Sequence, residues 1–256
     1  MAAPPQSRAL TLQALATGTR ELAARDPRLA GIATRLGVPP MWGRRPGFAT
    51  LVHIILEQQV SIAAARTLFR RLSTRLGGIR PETVLAAGIE GLRGHGLTRQ
   101  KSSYCHGLAA RVADGRLDLS SVARADESRG RAALLEVPGL GPWSVDIYWL
   151  MALRRPDVWP QGDLALAVAM QDVLGLRTRP ARDRQARIAG AWAPWRSVAA
   201  RLLWAHYLAE RGQYAPKRPA TPPLKPPADA PWWAGERGFV GDSRSRPAPH
   251  EHGDCR

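Results

Sequence analysis

The stretch Val137-Pro138-Gly139-Leu140-Gly141-Pro142-Trp143 sets two glycines around one leucine, directly ahead of a helical pattern. Upstream, Asp126 can cap a helix that runs to Glu136. Downstream, Pro142 suits the first turn of a helix carrying Val145, Ile147, Leu150 and Met151. The unit, near residues 134–153, is therefore helix, tight turn, helix. Glycine reaches backbone angles closed to other residues, so Gly139 and Gly141 are both read as turn formers. Without a Cβ they let a phosphate approach the turn amides, while Leu140 pins the turn to a core. The free amides and the positive dipole end of the next helix point the same way. The same seven residues also suit an ordinary connection between two helices, and this stretch alone leaves both readings open.

The rest of the chain reads as helical. Phe48, Leu51, Val52, Ile55 and Leu56 form one apolar face. Ser61 can cap a helix carrying Ile62, Ala65, Leu68, Phe69 and Leu72, which stops at Gly77-Gly78. Pro81 begins a short helix, and Thr98 caps another that ends at Asp114-Gly115. A helix near Leu10–Ala24 precedes a break at Pro39-Pro40. After the loop RRPDVWPQGD come a helix over Leu164–Leu174 and a last one from about Ser197 to Glu210. No alternating pattern of useful length appears, so the expected class is all-α. From Gln213 the composition turns to Pro, Ala, Arg and Gly and reads as a disordered tail over 213–256, with a Trp232-Trp233 pair inside it.

The formal net charge is +16 over 256 residues. From residue 213 onward seven basic residues meet five acidic ones, so about +14 remains on the part that folds. A domain this basic meets a polyanion, and nucleic acid is the first candidate. A GC-rich genome explains arginine in place of lysine but not the excess over acids. Two cysteines, Cys105 and Cys255, argue against a disulfide framework, a thiolate metal site and an iron–sulfur cluster. No apolar run approaches the roughly 18 residues of a membrane span. The first residues, MAAPPQSRAL, lack the pattern of a secretory signal, which makes the cytoplasm or nucleoid the expected location.

About twenty residues after the hairpin, Asp163 stands just before a helix in VWPQGDLAL. A hairpin, a helix, a Pro-bearing loop and an aspartate, in that order, form the signature from which the HhH-GPD family takes its name. The chain resembles the helix-hairpin-helix DNA glycosylases, and within them the 3-methyladenine DNA glycosylase II branch. LVHIILEQQVSIAAA, GLTRQKSSYCHGLA and PWRSVAARLLWAHY agree with that branch, and the collinear likeness covers roughly Gly47 to Arg211.

The resemblance implies two helical subdomains with the active site in the cleft between them. Residues 1–46 would be an N-terminal helical segment packed on a core of 47–212. It implies a base-excision enzyme acting on double-stranded DNA that carries alkylated purines. The damaged base is flipped out of the duplex and its bond to the sugar hydrolysed. The transition state resembles an oxocarbenium ion, so a carboxylate near the sugar matters most. Asp163 matches that residue, and it also reads as a simple cap of the helix at Leu164. Asp146, Asp157 and Asp172 are its neighbours in sequence. Asp146 falls inside a helix and Asp157 in a loop, so both are set aside.

Trp143 stands where bifunctional members carry a Schiff-base lysine, which implies a glycosylase without lyase activity. Trp143, Trp204 and Ile147 match positions of the base pocket, where Trp143 and Trp204 would stack on a cationic base. Nine tryptophans in the chain make core packing the competing reading. Relatives carry further aromatics where this chain has Ile147 and Ala205, which implies a plainer pocket. Gly139, Leu140, Gly141, Gln58, Gln59 and Ser61 match DNA-binding positions. There Gln59 fills the gap left by the flipped base and Gln58 supports it. The carbonyls of Leu135, Val137 and Leu140 match a monovalent cation site, and no other cofactor is implied. Arg196 matches a family position that reads equally as a structural partner of a nearby carboxylate. A monomer is expected. A non-catalytic DNA-binding module and a glycosylase for another damaged base are the alternatives.

Overall fold

Thr11 starts the first helix: its hydroxyl accepts from the Ala14 amide, and α1 runs Leu12–Arg25. The computed structural model describes residues 9–215, so the reading of a tail falls, save for its first three residues, outside the described part. Asp26 closes α1 and caps α2 (Pro27–Leu36), with Pro27 in the first turn. There follow α3 (Phe48–Glu57), α4 (Ile62–Arg75), α5 (Pro81–Gly94), α6 (Arg99–Ala113), α7 (Leu119–Arg124) and α8 (Glu127–Leu135). The helix after the hairpin, α9 (Pro142–Ile147), passes into a π turn at Tyr148–Ala152. The last three are α10 (Leu164–Val173), α11 (Arg182–Gly190) and α12 (Arg196–Ala209). Among the described residues there is no strand, and the class is all-α. None of these helices is long and apolar enough to cross a membrane.

The helices sort into two groups. In the first, α3 packs on α4, α6, α9 and the π turn, α5 packs on α6, and α8 packs on α7 and α9. In the second, α12 packs on α1, α2, α10 and α11. The chain thus begins in the second group, builds the first, and returns. Core leucines explain the return: Leu15, Leu22, Leu29 and Leu36 from α1 and α2 are buried, as are Val198, Leu202 and Leu203 from α12. Each such side chain contributes about 1.5–3 kcal/mol on leaving water. Polar ties fix the orientation. Trp192 donates its indole N–H to Asp26 at 3.0 Å, and Trp195 donates to Glu21 at 2.7 Å.

Three helices, α2, α7 and α11, were not expected from the sequence, and the hairpin helix is not continuous. In the π turn Leu153 N reaches back five residues to the Tyr148 carbonyl at 3.1 Å. The wider turn leaves carbonyls for other donors. Arg44 N donates to Met151 O at 2.9 Å, and the Arg201 guanidinium donates to Leu150 O at 3.0 Å. Arg201 is fully buried in the middle of α12. Its other donors reach Met41 O at 2.8 Å and Ser197 O at 3.2 Å. Burial without a carboxylate partner pushes its pKa down to about 10. One side chain thereby ties α12, the π turn and the segment before α3.

Candidate active site

The hairpin turn depends on one of its glycines for conformation. Gly139 has φ +92°, and a Cβ there would overlap the Tyr104 ring on α6. Gly141 differs from expectation. Its φ of −79° and ψ of 175° are extended backbone open to any residue, because it serves as the N-cap of α9. A Cβ on Gly141 would meet nothing within 4 Å, and the residue is exposed, so its lack of a side chain matters only for what approaches from outside. Leu140 is buried, and its amide closes the turn on Val137 O at 3.0 Å. Val137 is buried as well, whereas Leu135 is 46% exposed.

Gln58 ends α3 and reaches the hairpin. Its amide nitrogen donates to Gly139 O at 2.7 Å and to the Ser144 hydroxyl at 3.0 Å. This contact holds the next residue at the tip of the turn. Gln59 is exposed, with φ +59°, a backbone region non-glycine residues seldom enter. Val60 and Ile62 beside it are 47% and 59% exposed, and Ser61 caps α4 by accepting from Ala64 N at 3.2 Å. Lys101 on α6, the only lysine among the described residues, donates to Leu56 O at 2.8 Å and helps to close α3.

Asp163 is the N-cap of α10, with Oδ1 accepting from Leu166 N at 2.9 Å. The same oxygen accepts the Trp204 indole N–H at 3.3 Å, and Oδ2 accepts the Trp143 indole N–H at 3.0 Å. Every partner is a donor, which suits the acceptor-only chemistry of a carboxylate. Trp143 rides on α9 in the first group of helices, and Trp204 on α12 in the second. The carboxylate therefore stands where the two groups meet, at the positive end of a helix dipole. It is 9% exposed, while Leu164 beside it is 62% exposed, so the group lies just below the surface. Trp143 is half-buried, and Trp204 and Ile147 are buried.

The neighbouring carboxylates are committed elsewhere. Asp146 is buried, which pushes its pKa up against the opposing pull of Gln161 N–H and Arg131. It accepts from Arg131 at 2.5 Å and from Gln161 N at 3.0 Å, so it anchors the turn that delivers Asp163. Asp157 takes a two-pronged contact from Arg196, at 2.8 Å to each oxygen. Arg196 is therefore a structural partner, with its pKa raised by that hydrogen bond. Asp172 faces His206 at 2.5 Å, and Arg35 donates to the other ring nitrogen at 2.7 Å, which leaves the His206 Nε2 proton for Asp172. The four tryptophans Trp149, Trp159, Trp192 and Trp195 are core residues. Cys105 is buried, and burial pushes its thiol up to about 12.

Sequence reasoning missed Arg201, Arg131 and the segment Met41–Arg44. An arginine inside the apolar run of α12 was the available signal for the first. Nothing local marks the others, because their partners lie far away in sequence.

The same order of parts, hairpin then helix then capped aspartate, characterises a family of base-excision proteins. The model of the HhH-GPD superfamily base excision DNA repair protein matches residues 52–194, more than half of the chain, and the chain belongs to this family. Among named relatives, a putative DNA-3-methyladenine glycosylase of Bacillus subtilis is 27% identical over 162 residues, covering 60% of this chain and 56% of that protein. A probable bifunctional transcriptional activator/DNA repair enzyme of Mycobacterium tuberculosis is 36% identical over 166 residues, covering 60% of this chain and 32% of the relative. The chain thus matches between a third and just over half of the length of these relatives. Among solved structures, the DNA-3-methyladenine glycosidase of Bacillus halodurans superposes with TM-score 0.62 at 27% identity, covering 77% of this chain and 92% of that one. The 3-methyladenine DNA glycosylase of Schizosaccharomyces pombe, in complex with abasic DNA, superposes with TM-score 0.67 at 21% identity, covering 78% and 99%.

Proposed function

We propose that the chain is a monofunctional DNA glycosylase that removes alkylated purines of the 3-methyladenine and 7-methylguanine type from duplex DNA. The observation that carries this reading is Asp163, held between two indoles at a helix N-terminus beside the hairpin. The glycosylase names of the relatives support the substrate class. In the reaction the bond from C1′ to the base nitrogen breaks, and its electron pair leaves with the base. Asp163 stabilises the cationic sugar and takes the proton of the water that adds to C1′. Its Oδ2 accepts one indole and keeps a lone pair for this work. Trp143 and Trp204 flank the flipped base with Ile147 between elements, and Gln59, on its exposed turn, fills the vacated stack. No lysine lies at position 143, and Lys101 is engaged at the end of α3, so no amine is aimed at the sugar.

The test is incubation with methylated duplex. Release of 3-methyladenine or 7-methylguanine with an abasic strand that stays intact until treated with alkali is expected. Absence of release refutes the reading, and spontaneous strand cleavage refutes the monofunctional part.

We further infer that the activity resides in residues 9–215, that the chain works as a monomer, and that it acts in the cytoplasm at the nucleoid. The hairpin is proposed to bind a monovalent cation through the carbonyls of Leu135, Val137 and Leu140. Such oxygens suit a hard cation, and those of Leu135 and Leu140 are not used by the hydrogen bonds that close the turn. No other cofactor is required. DNA affinity should fall steeply with salt and depend little on sequence, because the contacts address phosphates. At matched ionic strength it should be weaker in tetramethylammonium, too large for the site, than in potassium. A flat salt response would remove the phosphate clamp from the account, and equal affinity in the two salts would remove the cation.

A further inference from the structure

Trp42 has φ +41°, a left-handed backbone that a bulky side chain rarely adopts and that costs roughly 1–3 kcal/mol. Both neighbours are tied down. Met41 O accepts from buried Arg201, and Arg44 N donates to Met151 O of the π turn. Arg44 itself grips Glu57 through two contacts of 2.9 and 2.6 Å. The surroundings therefore fix the strained residue between α12 and the continuation of α9, the two elements that carry Trp204 and Trp143. Its ring meets Tyr214, just past the end of α12, edge-on at 6.0 Å and 68°.

Strain of this kind persists in a core where full burial compensates for it. Trp42 and Tyr214 are only half-buried, and neither the indole N–H nor the phenol has a hydrogen-bond partner among the described residues. Burial raises the Tyr214 pKa, so the hydroxyl stays neutral. Ala205 lies one turn past Arg201 on the same face of α12, a small residue where the pocket was expected to be plain. An aromatic delivered from the segment before α3 makes up for that loss.

We propose that Trp42 and Tyr214 form a further aromatic wall of the base pocket, beside Trp143 and Trp204, and stack on the flipped alkylated purine. This rests on the glycosylase reading. A cationic purine has a strong preference for a π face, and an indole is the best of these.

The full chain is used for the test, with Trp42→Phe, Trp42→Leu and Tyr214→Ala. The readouts are single-turnover release of 7-methylguanine and affinity for a duplex with an abasic-site analogue, which presents no base. Trp42→Leu and Tyr214→Ala should slow release about tenfold, the effect of roughly 1.4 kcal/mol of lost stacking. Trp42→Phe should keep most of the rate, and all three should bind the abasic analogue like the unmutated chain. Phe and Leu differ little as space-fillers, so equal rates for the two variants overturn the wall and leave Trp42 a packing residue. A parallel loss of abasic affinity overturns it too. If the unmutated chain releases no base, the functional reading fails first and takes this inference with it.

Discussion

Single-turnover release of 3-methyladenine is expected to fall about a hundredfold to a thousandfold in Asp163→Asn, the usual loss when an aimed electrostatic group is removed. The amide keeps the size of the side chain but not its charge, and it cannot take a proton from water. The geometry adds a second effect. Oδ1 must remain oxygen to accept from Leu166 N and Trp204, so the new NH2 falls where Oδ2 accepts the Trp143 indole. Two donors then face each other, and Trp143 must turn away. The variant should thus lose about 1–2 kcal/mol of stability as well as its rate. Binding to an abasic-site analogue, governed by the remote hairpin, should persist. Near-unmutated release would move catalysis off Asp163 and undo the mechanism.

The second large effect is on stability, in Arg201→Met. Methionine replaces the apolar stem but leaves Met41 O and Leu150 O buried without a donor. Each unsatisfied carbonyl costs about 1–3 kcal/mol. The desolvation that lowers the Arg201 pKa is relieved at the same time, and this offsets part of the loss. A net loss of about 2–4 kcal/mol remains, equivalent to a fall in Tm on the order of 10 °C for a domain of this size. Thermal unfolding of the two proteins decides the matter. An unchanged Tm would mean that water or other donors serve those carbonyls.

Caps and turns were the most legible part of the fold. Ser61, Thr98, Asp126 and Asp163 were each read as caps and each accepts a backbone amide. They are local signals, complete within four residues. The helix α2 had a signal too, since Leu29, Ile32, Ala33 and Leu36 repeat at helical spacing behind Asp26-Pro27, and it went unread. By contrast α11 carries little apolar stripe, with only Gln185 and Ala189 buried, and its existence depends on packing against α12. The π turn has no composition of its own. For the site, the positions of Trp143, Asp163 and Trp204 were suggested by family resemblance, but their shared hydrogen bonds were not. Those bonds join residues 20 and 41 positions apart. Gly141 was misjudged because a glycine in a turn advertises conformational need, whereas its use here is an absence of bulk.

The five residues Tyr148–Ala152 set a rule for chain length as well as for chemistry. Removing one residue there would restore ordinary helical spacing and rotate everything on one side by about 100° relative to the other. The carbonyls that meet Arg44 and Arg201 would be reclaimed by the helix, and both ties would be lost together. Side chains in this stretch are exchangeable in ways that its residue count is not. Among homologous chains, gaps should therefore collect in the surface loops and avoid these five positions, whatever the amino acids found in them.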